Sequence, residues 1–401
     1  MWPPDSRPPF ILLEDLEKGT SSLLERPRHE IVARSLKEVN AALQKADELT
    51  DAGETLAGWI GYEAGYAFEP RLHSFLEARS GDSTLLHLFS FDSRTLLTNE
   101  ALDRWLALNA AGDSELGQLQ PAISFDQYAK AFQHVMQAIF AGDIYQANLT
   151  FPLRGRWRGD PVALYRAIRP RANARFAALM FDGEQWLLSF SPELFFALQD
   201  REICVRPMKG TRPRGTDPAS DHRLEQELAH SAKDRAENLM IVDLMRNDVS
   251  KISLPGSVRV DSLFRIETYP TVFQMTTGIS AKLKDALSLT QTMWAMFPCG
   301  SITGAPKVRA MEIIHEVERW HRGPYCGAIG QMTAHGGVRQ YRFNVAIRTL
   351  RLRPYASGVE GDAEFGVGSG IVADSIMEEE WEECLLKSRV IGRGLANGLS
   401  L

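Results

Sequence analysis

The chain has 401 residues, 44% of them hydrophobic and 24% charged, which is ordinary globular composition with enough material for one large α+β unit or two domains. Its 45 Lys+Arg against 51 Asp+Glu leave a formal net charge of −6, which argues against a dedicated nucleic-acid binder. Cys204, Cys299, Cys326 and Cys384 lie far apart, with no C-x-x-C pair and no nearby histidine; that is neither a zinc pattern nor a disulfide framework and fits a reducing cytoplasm. The opening "MWPPDSRPPF" lacks the order of a signal peptide, and no uninterrupted apolar run approaches the ~20 residues that span a bilayer, so no membrane partner is expected.

In chain order, "TLAGWIGYEAGYAF" and "TLLHLFSFDSRTLLTN" read as strands with helical stretches between them. Residues 107–127, polar and holding Gly and Pro, read as a boundary or long connection. The implied division is 1–115, integrated with the rest of the fold, and 120–395. Asp126–Phe140 has helical spacing of Tyr128, Phe132, Val135, Met136 and Ile139, and residues 175–210 hold short apolar runs separated by turn residues. Helices are expected over Arg223–Ala232 and Asp234–Met245, after "GSITGAP" with Pro306 in the first turn, and over Ser375–Arg389. Strands and helices in blocks, without strict alternation, predict an α+β fold with mostly antiparallel sheets.

The familiar nucleotide and hydrolase motifs are absent. "GSITGAPK" lacks G-K-[ST], and "GVGSGIV" has Ile371 where a dinucleotide fingerprint needs its last glycine. What remains is a set of carboxylates. Asp234 and Glu237 stand at i,i+3 on one predicted helix, and Glu380 and Glu383 on another. Two such faces brought together could hold a hard divalent cation; the alternative is an acid-rich solvated surface. Lys387, four residues after Glu383, is either an i,i+4 salt-bridge partner or a cation reaching toward an anionic ligand. The glycine-rich turns "GVGSGIV" and "CGSITGAP" let backbone N–H groups approach carboxylates or serve only the backbone. Arg348, in an apolar strand-like context, needs an anionic partner, either a structural carboxylate or a substrate. Glu193 in "SFSPELFF" either faces water from an edge strand or carries a raised pKa and keeps a proton to donate. Lys209, in the arginine-rich loop "RPMKGTRPRG", is either a solvated charge or a desolvated nucleophile.

Taken together, "SPELFF", "RPMKGTRPRG", "DRAENLMIVDLMRNDVSKI", "FPCGSITGAPKVRAMEII", "GPYCGAIG", "AIRTL" and "GSGIVADS…EEEWEECLLK" resemble the chorismate-utilising enzymes, in that family's order over roughly residues 125–390. The resemblance implies large antiparallel β-sheets packed as a sandwich with peripheral helices, and makes 120–395 the chorismate-binding catalytic region. It implies Mg²⁺ held by Glu237 and Glu383, with Asp234 and Glu380 as neighbours acting through water. Lys387 and the Gly300–Gly304 turn, with Ser301 and Thr303, match the site of the ring carboxylate. Tyr325, Arg348 and the backbone at Gly368–Gly370 match the cradle of the enolpyruvyl carboxylate, and Glu193 matches the acid that protonates the departing C4 hydroxyl.

Two positions divide the family's chemistry. Lys209 stands where anthranilate synthases usually read P-I-A-G-T, and resembles the aminodeoxychorismate branch, in which the amine adds to ring carbon C2. Gln146 stands where isochorismate and salicylate synthases carry a water-activating lysine. The resemblance implies that ammonia comes from a separate glutamine amidotransferase subunit in a heterodimer. Two departures accompany it: Gln274 where many relatives have histidine, and Arg26 closing "SSLLERP", a motif whose tryptophan-pocket counterpart ends in serine.

Overall fold

The computed structural model describes residues 7–77, 84–269, 272–285 and 287–392. Among the described residues the strands form two antiparallel sheets, one of eleven strands and one of ten. The first begins with Gly304–Ala305 and the long strand Gln146–Gly159, followed by Glu360–Ile371, Thr349–Pro354, Trp186–Ser191, Phe176–Phe181, Phe10–Asp15, Thr20–Glu25 and Thr95–Thr98. The second begins with Met208–Pro213 and Val272–Lys282, followed by Glu202–Arg206, Leu194–Gln199, Val338–Val345, Ala328–His335, Thr55–Ile60, Leu86–Phe91 and His29–Ala33. Early and late segments share both sheets: Phe10–Asp15 pairs with Phe176–Phe181, and Thr55–Ile60 with Ala328–His335.

Alternation along the strands builds the sandwich. Ile11, Leu24, Trp59, Phe89, Met180, Leu187 and Ile329 make one buried cluster, while Leu12, Leu23, Leu179 and Leu188, one residue out of phase, join a larger core. Both faces of these strands are buried, which is why they read as continuous apolar runs. Helices Leu36–Asp51 and Phe125–Phe140 open on capping boxes at Ser35/Glu38 and Ser124/Gln127 and contribute Val39, Leu43, Tyr128, Phe132 and Val135 to that core.

Several local expectations are corrected. Only Thr55–Ile60 of "TLAGWIGYEAGYAF" is a strand; Tyr62–Phe68 turns into a 3₁₀ helix around the buried Glu63, whose carboxylate accepts the backbone N–H groups of Arg322 (2.7 Å) and Gly323 (2.9 Å). The expected connection at 107–127 contains Ser114–Leu116 and Gln120–Pro121, both paired with Gln146–Gly159. "RPMKGTRPRG" is not a loop, because Met208–Pro213 pairs with Val272–Lys282. The two central helices run Pro218–His230 and Ala232–Ile252, parted at Ser231, whose hydroxyl caps the second. Pro306 precedes the helix Lys307–Val317 as its cap residue, and the last helix is Met377–Lys387.

One buried bracket ties the long strand Gln146–Gly159 to the turns around it. Arg322, fully buried, donates to both Glu318 oxygens (2.7 and 2.9 Å) and to the carbonyls of Ile302 (2.9 Å) and Asn148 (2.7 Å), and stacks over Tyr62. Glu318 in turn accepts the Thr150 N–H and hydroxyl. Arg322→Met removes the buried guanidinium that neutralises Glu318 and should cost about 3–5 kcal/mol in urea denaturation. A loss under about 1 kcal/mol would remove the bracket from this account.

Candidate active site

The strand Met208–Pro213 starts one edge of the second sheet, and its register against Val272–Lys282 slips between Met208 and Thr211. Lys209 and Gly210 occupy that slip, and Gly210 takes φ 74°. Such a bulge re-aims a side chain, and a Cβ at Gly210 would stand 2.8 Å from an Asp234 oxygen, so glycine is needed there. Lys209 forms no hydrogen bond or ion pair with the described residues. Burial pushes its pKa below the ordinary lysine range; Glu237, Glu193 and Glu383 oppose the shift and Lys387 reinforces it.

Glu193 is buried, and one of its carboxylate oxygens has no partner within the protein. Burial pushes its pKa up to about 7, against the pull of the Ser301 hydroxyl, Lys209 and Arg348. Arg348, at φ 51°, pairs with no carboxylate among the described residues; its guanidinium pKa is lowered by burial, with Glu193 opposing. Of the two partners expected for Arg348, the structural carboxylate is therefore not found. Tyr325 is buried against Trp320, ring centroids 5.9 Å apart.

The long strand brings Gln146 to the same place. It is fully buried, and neither amide atom has a partner within the protein. A Cβ on Gly370 would lie 2.8 Å from the Gln146 amide nitrogen and 3.2 Å from Lys209 Nζ, so the absence of a side chain there keeps open the space between the two groups. The turn Gly300–Ile302 supplies buried Ser301, and Thr303 donates to the carbonyls of Cys299 (3.0 Å) and Gly300 (3.2 Å). The Gly368 carbonyl accepts from Lys387 at 2.7 Å.

The four carboxylates face the cleft from two helices with different partners. Asp234 pairs with Arg212 (2.8 Å), Glu380 accepts the Ser375 hydroxyl (2.6 Å), and Glu383 pairs with Lys387 (2.7 Å). Of the two readings of Lys387, the i,i+4 partner is seen directly, and the same ammonium also donates to the Gly368 carbonyl of the glycine-rich strand. Glu237 has no such partner, and its pKa is raised by burial and by the like charges of Asp234 and Glu380, against Lys209 and Lys233. Burial works on Glu383 too, but Lys387 holds its pKa below the usual range. No three His, Cys, Asp or Glu side chains among the described residues gather as a ready ligand group. The oxygen-only donors and a Glu237 carboxylate without a bonded partner among the described residues nevertheless fit Mg²⁺, which takes one or two carboxylates and fills its shell with water and substrate.

The charged cluster, and not cavity size, locates the site: a cavity of about 1070 Å³ lies elsewhere, beside Tyr128, Arg154, Trp320 and Arg351. Sequence reasoning missed Arg322 and Glu318, whose only signal is an E-x-x-x-R spacing, and noted Gln274 without a role.

A family model described as chorismate binding enzyme matches residues 8–393. The chain belongs to that family. Aminodeoxychorismate synthase component 1 of Salmonella typhimurium is 41% identical over 271 residues, 68% of this chain and 58% of that protein. Anthranilate synthase component 1 of Aquifex aeolicus is 36% identical over 270 residues, 67% of this chain and 52% of that protein. The chain spans about six-tenths of the length of the aminodeoxychorismate synthase components it matches. The crystal structure of anthranilate synthase component I from Streptococcus pneumoniae superposes with a TM-score of 0.76 at 24% identity, covering 95% of this chain and 93% of that one. That likeness shows the fold: the expected α+β sandwich of antiparallel sheets is the chorismate-enzyme architecture.

Within this family fold, Glu193 is held at a cost. Its pKa is about 7 in the folded chain and near 4.5 when solvated, so the folded state binds the extra proton between those values. Stability from this group is present below about pH 4.5 and is lost as pH rises through 7. Glu193→Gln should therefore raise stability at pH 8 by up to about 3 kcal/mol, with little gain at pH 4.5, read as urea midpoints at both pH values. An equal effect at both would contradict the buried, proton-retaining carboxyl.

Proposed function

We propose that the chain is the chorismate-aminating component of an aminodeoxychorismate synthase. On this reading it converts chorismate and ammonia to 4-amino-4-deoxychorismate, a transferase-type amination on the route to p-aminobenzoate and folate. The observation that carries the reading is Lys209: an amine with no charge partner at bonding distance, desolvated, and set across from the orphaned Gln146 amide with only Gly370 between. The curated relatives named aminodeoxychorismate synthase component 1, at about 40% identity, support it.

In the proposed mechanism Lys209, neutral at the moment of attack, forms a bond from Nζ to C2 of chorismate. The ring double bonds shift, and the C4–O bond breaks as Glu193 gives its proton to the departing hydroxyl, releasing water. Ammonia then attacks C4, the double bonds shift back, and the C2–N bond to Lys209 breaks. Arg348 and Tyr325 hold the enolpyruvyl carboxylate, with the Gly368–Gly370 backbone; Lys387, Ser301 and Thr303 serve the ring carboxylate. Mg²⁺ held by Glu237 and Glu383, with Asp234 and Glu380 as outer neighbours, would neutralise ring-carboxylate charge that otherwise repels the developing electron density. Gln146 is uncharged and has no proton-accepting strength to activate water, which favours amination over hydration. The ammonia source proposed is a glutamine amidotransferase subunit, and the setting a cytoplasm. No helix among the described residues is long and apolar enough to cross a membrane.

The purified chain, given chorismate, Mg²⁺ and an ammonium salt at alkaline pH, should form a product that yields p-aminobenzoate only after aminodeoxychorismate lyase is added. Anthranilate and pyruvate released without the lyase would instead establish the anthranilate synthase reaction. Lys209→Ala should lower turnover at least 100-fold; full activity in that variant would eliminate the covalent step. Glu237→Gln should raise the Mg²⁺ concentration for half-maximal activity at least tenfold; an unchanged Mg²⁺ titration would remove Glu237 from the metal set.

A further inference from the structure

We propose that Gln274 is a positioning residue for Lys209, its side-chain amide tying down the Gly210 carbonyl and the Thr211 hydroxyl where the Lys209–Gly210 bulge interrupts the ladder. The inference deepens the reading of Lys209 as nucleophile and rests on it.

Register shows the gap to be filled. Met208 lies opposite Thr276 and Thr211 opposite Gln274, so Lys209 and Gly210 together face the single residue Met275. Two residues against one leave backbone groups without their usual partners. Buried Gln274 meets that need at the Gly210 carbonyl, to which its amide nitrogen donates at 2.7 Å, and its oxygen accepts from the Thr211 side-chain hydroxyl at 2.8 Å. One planar group thus grips the two residues that follow Lys209. Donor and acceptor are used at once, and the neutral amide of Gln274 supplies both from one planar group. The opposite side of the strand is held by Asp234, packed under Gly210 and paired with Arg212.

The consequence is mechanical. Met208–Pro213 sits at the end of its sheet, paired on one side only, so it is among the strands most easily lost to local opening. A nucleophile carried there needs tethers, since a displacement of about 1 Å at a reacting atom costs on the order of 100-fold. The charged groups around Lys209 are Glu237 from helix Ala232–Ile252, Glu383 and Lys387 from helix Met377–Lys387, and Glu193 from the adjoining strand connection. Gln274 is neutral, so replacing it with methionine changes the tether and leaves those charges in place.

The test combines backbone hydrogen exchange with steady-state kinetics on Gln274→Met. Ser280→Ala, on the same strand but bonded to Asp261 at the far end, is the control. Amides of 208–212 should exchange at least tenfold faster in Gln274→Met, while 202–206 keep their protection. The kcat for chorismate amination should fall at least tenfold with KM changed less than threefold, and Ser280→Ala should match the parent in both. If Gln274→Met does not fold, Thr211→Val, which deletes one of the two bonds, should show the same pattern at about two- to threefold. Unchanged exchange at 208–212 would overturn the tether whether or not chorismate is turned over. Faster exchange with unchanged kcat would overturn the positioning role. If the parent aminates chorismate equally well as Lys209→Ala, the nucleophile reading itself fails and the positioning role falls with it.

Discussion

An amine must be kept free of bonded partners in a place where partners abound. Lys209 stands near Glu193, Glu237 and Glu383, any of which would hold it as an ammonium by pairing with it. The fold gives two of these acids something else to do. Glu383 is taken by Lys387, and Glu193 is buried deeply enough to keep its proton near neutrality. Glu237 alone of the three has neither a bonded partner among the described residues nor a depth of burial like that of Glu193, and Asp234 and Glu380 add like charge beside it. The separation of roles among three carboxylates follows from environment, since the side chains are chemically identical.

Rigid supports surround the cleft. The Arg322–Glu318 bracket fixes the carbonyls of Ile302 and Asn148, and thereby the distance between the Gly300–Gly304 turn and the strand bearing Gln146. Gly370 leaves room between Gln146 and Lys209 that any side chain would occupy. These are buried, short-range constraints, and each sits one residue or one turn from a group that would touch substrate.

Much of this was legible in the chain. Strands and helices grouped in blocks point to mostly antiparallel sheets, the family resemblance to their packing as a sandwich, and the i,i+3 carboxylates and the motifs to the charged cluster. The misreading at Lys209 has a clear cause: Pro, Gly and three arginines within ten residues signal a loop, yet an edge strand with a bulge uses the same residues. "GYEAGYAF" read as strand because burial makes both states apolar; only the Glu63 bond to Arg322, 259 positions later, explains the 3₁₀ turn. Arg322 was invisible for the same reason, since its role depends on closing long loops that no local pattern records.

The claim on which the account turns is that Lys209 bonds to the ring. Mixing the protein with chorismate and Mg²⁺ but no ammonia, quenching, and mapping peptides by mass spectrometry tests it directly. The account predicts a peptide containing Lys209 that is heavier by chorismate less one water, lost on adding ammonia before the quench. No such adduct under conditions where ammonia gives turnover, or an adduct on another residue, would contradict it.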